Sequence, residues 1–178
     1  MTKQIFRAFA LLLLPVLSGC LVTERPYTES RSYDVAFPAE SGKNAVTLKR
    51  IRNLSGADRR FLVKKGSAQA SSDEYSRWQL SPDQLLERAF LEYFPAQDSR
   101  VTASVVLTRF ECDADQKEVR LVWQVNLSGN GRSREFRSSH AAAYTGSADD
   151  AAQAMNKCIG EALSHLDSEI SRFLEEAK

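Results

Sequence analysis

The chain has 178 residues, with 24 Lys plus Arg against 23 Asp plus Glu, two His and a formal net charge of +1. A balance this close to neutral leaves no electrostatic footprint for nucleic acid, which is excluded as an expected partner. Taking residues 1–19 from the 178 as a cleaved leader leaves 159, enough for one domain that buries about 70% of its unfolded surface.

The leader is read from its layout. Lys3 and Arg7 stand without any acidic residue, the apolar run AFALLLLPVL follows over 8–17, and Ser18 and Gly19 precede Cys20. A membrane-spanning helix needs about 20 apolar residues, and this run is half that and interrupted by Pro15, so it reads as an export signal. Leu17-Ser18-Gly19-Cys20 resembles the lipobox of bacterial lipoproteins, in which a peptidase cuts before the cysteine once its sulfur carries a diacylglyceryl group. Cys20 is therefore the expected lipidation site, against the plainer alternative of a secretory signal with an unrelated cysteine. One acyl chain binds a bilayer only marginally, whereas several on one residue hold it there. Leu21, where an Asp tends to retain enteric lipoproteins at the inner membrane, implies by resemblance the outer membrane, facing the periplasm.

Residues 21–32 are polar, contain Pro26 and show no apolar period, so 20–32 is expected to be a lipidated cysteine with a flexible tether, and 33–178 a single periplasmic domain. Twelve residues reach roughly 40 Å extended and about 20 Å as a coil, which keeps the body close to the membrane. Short strands are predicted over 33–37, 45–52 and 60–65, and a loop over 66–73 (GSAQASSD) leading into Glu74-Tyr75-Ser76-Arg77-Trp78. Ser81-Pro82-Asp83-Gln84 predicts a helix start: a Ser cap, Pro at the first turn, a Gln placed to reach back, and Leu80 and Leu85 as a hydrophobic staple. That helix carries Leu85, Leu86, Ala89, Phe90, Tyr93 and Phe94 on one side until Pro95.

Three strands follow. Residues 100–112 alternate through Val101, Ala103, Val105 and Leu107, then change phase around Val106 to continue with Phe110 and Cys112, as a bulge would require. Residues 118–128 alternate cleanly, and 133–144 are polar enough for an edge. The turns at 113–117 and Gly129-Asn130-Gly131 predict hairpins. A helix over 148–176, capped by Ser147 with Asp149 and Asp150 in its first turn, has an apolar stripe from Ala151 to Phe173. At about 40 Å it is long enough for part of it to overhang a small sheet and serve a neighbour. The expected fold class is α+β: a two-layer, mixed or antiparallel sheet with two helices packed on one face.

No catalytic constellation stands out. His140 and His165 lack metal-ligand spacing, there is no GxSxG, Walker or dinucleotide motif, and Asp113, Asp115 and Glu118 lack the glycine and distal Glu of a calcium loop. No metal or cofactor is expected. Cys112 and Cys158, with 45 residues between them, are either a disulfide of an oxidising compartment, with a chain-entropy value of about 4 kcal/mol, or two buried free thiols. The basic cluster Lys49, Arg50, Arg52, Arg59, Arg60, Lys64 and Lys65 reads as a solvated strand face or a local patch. Tyr75 and Trp78 are the candidate partner-binding aromatics, against simple packing beneath the loop.

A lipobox, a short strand with Tyr33, a strand at 45–52, Arg60-Phe61, then Asp73-Glu74-Tyr75-Ser76-Arg77-Trp78 running into Ser81-Pro82, three strands and a long terminal helix form an ordered series. It resembles the ABC-type transport auxiliary lipoprotein family, which includes the paraquat-inducible protein C type. The resemblance implies a non-catalytic outer-membrane lipoprotein that works with an ABC transporter and a tunnel protein of the mammalian-cell-entry type in intermembrane lipid transport. It also implies homo-oligomers, since members assemble into rings. Two rivals are a structural or assembly lipoprotein of another outer-membrane complex (lipopolysaccharide export or secretion) and a cell-envelope enzyme bringing a histidine against a cysteine or carboxylate in a polar pocket.

Overall fold

The computed structural model describes residues 28–36, 41–66, 69–95 and 99–176. The predicted leader, Cys20 and most of the predicted tether lie outside the described residues, as does Phe37, the last residue of the first predicted strand. Seven strands form one mixed sheet: β1 (Arg31–Tyr33), β2 (Thr47–Asn53), β3 (Arg60–Lys65), β4 (Gln69–Trp78), β5 (Thr102–Asp113), β6 (Glu118–Gly129) and β7 (Arg132–Ala143). Two helices, α1 (Pro82–Tyr93) and α2 (Ala148–Glu175), complete the two-layer α+β fold.

The sheet order is β1-β4-β3-β5-β6-β7, with β2 also on β5. β2 and β3 follow one another along the same edge of β5, both parallel to it: β2 pairs with Thr102 to Leu107, β3 with Cys112 and Asp113. The β5-β6-β7 meander is antiparallel. Its inner residues on β6, Val119, Leu121, Trp123, Val125 and Leu127, are all buried, so the two-residue period read from the sequence is the period of the core. The β6-β7 turn is the two-residue Asn130-Gly131, both at positive φ (52° and 74°), the backbone that a tight hairpin matching strand twist demands.

α1 begins as its sequence predicts. The Gln84 side chain accepts hydrogen bonds from the Ser81 N–H (3.3 Å) and the Ser81 hydroxyl (3.0 Å). Both helices pack on one face of the sheet, α1 against β2 and α2 against β6 and β7, and both contribute to one apolar core with that face. The segment before β2 is fixed from both helices: Gly42 donates its N–H to Tyr93 O (2.7 Å), while Asp167 of α2 accepts the N–H groups of Lys43 and Asn44 (3.0 Å each) and the Asn44 amide (2.8 Å). A Cβ at Gly42 would come within 2.8 Å of Tyr93 and 2.9 Å of Phe94, so only glycine allows this approach.

Four sequence expectations need correction. The stretch 66–73 is not all loop: β4 starts at Gln69 and pairs with β3 as far as Lys65↔Gln69. Gly66, at φ 68°, makes the turn, and the exposed side chains of Ala70 to Ser72 give no alternation by which a strand could be recognised. The phase change in β5 falls between Leu107 and Arg109, two residues after Val106, leaving Thr108 as the extra residue. The first strand is Arg31–Tyr33, displaced toward the tether, because its partner is the C-terminal part of β4 (Arg31↔Ser76, Tyr33↔Trp78). Finally, α2 has no overhang. Its 28 residues span about 42 Å and the 12-residue strands of the meander about 40 Å, and its stripe stays buried from Ala151 through Phe173.

Candidate functional site

The aspartate-to-tryptophan motif is a wide bulge. In the β3-β4 pairing Leu62 faces Ser72 and Arg60 faces Arg77, so two steps along β3 correspond to five along β4. The four residues Asp73 to Ser76 stand against the single Phe61 and are held by the Asp73 carboxylate, which accepts the N–H groups of Tyr75 (2.8 Å) and Ser76 (3.2 Å), and by the Ser30 hydroxyl, which donates to Tyr75 O (3.3 Å). The bulge separates the two candidate aromatics. Tyr75 is 45% exposed, whereas Trp78 is 2% exposed.

Trp78 stacks on Phe61 at 4.4 Å between ring centroids and meets Phe110 edge-on at 5.4 Å, with Tyr33 tilted against Phe61 at 5.1 Å. This aromatic column ties β1, β4, β3 and β5 together. Only Tyr75 of the pair reaches solvent, in shallow recesses lined by Thr28, Arg31 and Tyr33 on one side and by Arg60, Glu74 and Arg77 on the other. β1 is fastened to the start of α2, where Asp149 accepts from the Tyr33 hydroxyl (2.9 Å) and pairs with Arg31 (3.2 Å). Thr28, where the described chain begins, thus lies beside Tyr75.

Cys112 on β5 and Cys158 on α2 are both buried and are not bonded to each other in this structure. Burial pushes both up to about 12; negative charge at Asp73 and Glu111 adds to the effect at Cys112. Neither is a ready nucleophile. The basic cluster is dispersed: Arg50 and Arg52 lie on β2 opposite Ser104 and Val106, Arg59 donates to Gln79 O, and Arg60 lies opposite Arg77. Asp113 and Asp115 serve the backbone. Asp113 accepts the N–H groups of Asp115 and Gln116, and Asp115 accepts that of Gly66. No group of three or more His, Cys, Asp or Glu able to hold a metal occurs among the described residues.

The sequence reading missed a polar seam between β7 and α2 that joins both histidines. Their rings lie 5.9 Å apart, His140 Nδ1 is 3.9 Å from Glu161, and His165 Nε2 is 3.8 Å from Glu169. Ser138 is hydrogen-bonded to His140 Nε2 and accepts the Trp123 indole N–H at 3.1 Å. Burial lowers the His140 pKa, His165 adds to that shift and Glu161 opposes it. Serine, histidine and glutamate in series have the residue types of a hydrolase triad, but Ser138 is only 4% exposed on a strand and its oxygen is occupied by the indole. The arrangement can fasten helix to sheet; it offers no oxygen to a substrate. The available signal was spacing, with Ser138 and His140 on one strand face and Glu161, His165 and Glu169 one helical turn apart.

No protein-family model matches the chain. No curated protein matches it by sequence. Among solved structures, an uncharacterized protein superposes with a TM-score of 0.60 at 16% identity, covering 82% of this chain and 99% of its own. Protein XCC0632 from Xanthomonas campestris, of the DUF330 family, superposes with a TM-score of 0.59 at 15% identity, covering 85% of this chain and 97% of its own. At these identities what is shared is the fold: a mixed sheet with both helices on one face, over nearly the full length of either neighbour.

Proposed function

We propose that the chain is a lipoprotein held on the periplasmic side of the outer membrane through lipid on Cys20, where it acts as a non-catalytic accessory to an ABC-type, mammalian-cell-entry-linked lipid transport system. The observation that carries the reading is the placement of Thr28 to Ser30, the described residues that precede β1, beside the aspartate-to-tryptophan bulge. Thr28 lines the recesses around Tyr75, and eight residue steps from Cys20 to Thr28 reach at most roughly 28 Å. The end of the body that carries Tyr75 therefore works within that distance of the bilayer. The resemblance of the ordered motifs supports the transporter as partner, and an aromatic with a polar tip on a rigid strand suits a contact surface.

The test is site-specific photocrosslinking in cells from a probe at position 75, with a probe at the exposed Leu91 on α1 as reference. The expected adduct joins position 75 to the tunnel protein or a transporter component, and position 91 gives much less. Equal adducts from both positions, or adducts only with lipopolysaccharide-export or secretion components, would reject this function in favour of a different assembly role. Metabolic palmitate labelling that persists in Cys20→Ala would reject the anchor.

A further inference from the structure

The sheet has four borders without a partner strand among the described residues, and they differ in kind: the part of β4 before Ser76, which β1 does not cover, is interrupted by the Asp73 to Ser76 bulge. β1 is three residues long. β2 has a register break between Leu48 and Arg50 and carries Lys49, Arg50 and Arg52. Short length, bulges and dense charge are the devices that keep an edge from recruiting another strand. β7 has neither of the first two: its twelve residues pair with β6 in unbroken register from Gly129↔Arg132 to Glu118↔Ala143, and its charges, Arg132, Arg134, Glu135 and Arg137, are of both signs, so they can pair across a contact as well as repel one. Its far side leaves a row of N–H and C=O groups open.

We infer that β7 is the pairing edge for a second copy of this chain, with the two β7 strands antiparallel about a two-fold axis at Phe136. The side chains around Phe136 are complementary under that operation. Residues facing one another have numbers summing to 272, so Glu135 faces Arg137 of the other copy, Ser133 faces Ser139, and Phe136 meets Phe136. Glu135 and Arg137 are exposed on the outer face, Glu135 bonds only Gln124, and Arg137 has no ion-pair partner among the described residues. Two cross-strand ion pairs form at once. The neighbouring registers that keep the helices on one side set Glu135 against Glu135 or Arg137 against Arg137, and like charges directly opposite oppose pairing. The result is an isologous contact and a continuous fourteen-stranded sheet, twice the seven strands of one copy. It rests on the edge alone and stands whether or not the transport reading holds.

The experiment uses the full lipidated chain in its membrane. Ser133→Cys and Ser139→Cys are placed together in one chain, oxidised mildly, and resolved on a non-reducing gel. A dimer band that collapses on reduction is expected, with little background because Cys112 and Cys158 are buried. Adding Arg137→Glu should lower the crosslinked fraction about tenfold, and adding Glu135→Arg as well should restore it, since the swap rebuilds both pairs. Absence of the band, or a band indifferent to Arg137→Glu, overturns the inference. Unchanged thermal unfolding of the single reversal shows that it acts on pairing and not on folding.

Discussion

Replacing Trp78 with alanine removes the centre of the aromatic column between β3, β4 and β5. The indole is 2% exposed, stacked on Phe61 at 4.4 Å and edge-on to Phe110 at 5.4 Å. A buried tryptophan withdraws roughly 150–250 Å² from water, worth about 4–6 kcal/mol, and truncations of this size measure about 3–5 kcal/mol. For a domain of this length about 4 kcal/mol corresponds to a melting temperature lower by about 8–16 °C. Urea and thermal unfolding of the mature chain with Cys20→Ser, followed by circular dichroism, read this directly. Trp78→Phe keeps most of the stacking and should cost less than half as much. Tyr75→Ala, at an exposed bulge, should stay within about 0.5 kcal/mol of the parent. If Trp78→Ala melts within about 2 °C of the parent, or Tyr75→Ala costs as much as Trp78→Ala, the division of the motif into a packing residue and a surface residue is wrong.

Asp167→Ala strips three hydrogen-bond donors of their acceptor and should cost about 2–4 kcal/mol, with amide exchange accelerated first at Lys43 and Asn44; unchanged protection there would refute the clamp. The His140 pKa is lowered in the folded chain, so its neutral form is the one the fold favours. That contribution is complete above about pH 6.5, the unfolded value, and is lost as the pH falls through the folded value. His140→Gln should therefore flatten the fall in stability between about pH 7 and 5, and a parallel pH profile would contradict this. Cys112 and Cys158, pushed up to about 12, should resist a thiol reagent at about pH 8 in the native chain and both react in denaturant. Two thiols missing from the denatured, unreduced protein would instead reveal a bridge.

The legible parts of the fold were those whose cause is local. The cap at Ser81, the Asn130-Gly131 turn and the two-residue period through Val119, Leu121, Trp123, Val125 and Leu127 each depend on residues a few positions apart, and each stands where it was expected. The bulge in β5 was visible as a change of phase but misplaced by two residues, because Val106 is apolar on either reading and only the pairing with β6 shows that Thr108 is the surplus residue. The start of β4 was invisible: Ala70, Ser71 and Ser72 have no apolar pattern and are strand because β3 lies beside them.

The site divides in the same way. The motif from Asp73 to Trp78 and the candidate lipidated Cys20 can be found by reading along the chain, since their signals are contiguous. Which of Tyr75 and Trp78 faces solvent depends on the five-for-two register with β3, and the meeting of His140 with His165 depends on α2 packing against β7. Neither relation exists until strands far apart in sequence have paired. The sequence by itself determined the α+β class, the helix ends and the placement of apolar residues, because periodicity and capping are properties of a few neighbouring side chains. Tertiary structure alone decided the strand order, the exposed aromatic and the long unbroken edge of β7, because each is set by which segments lie side by side.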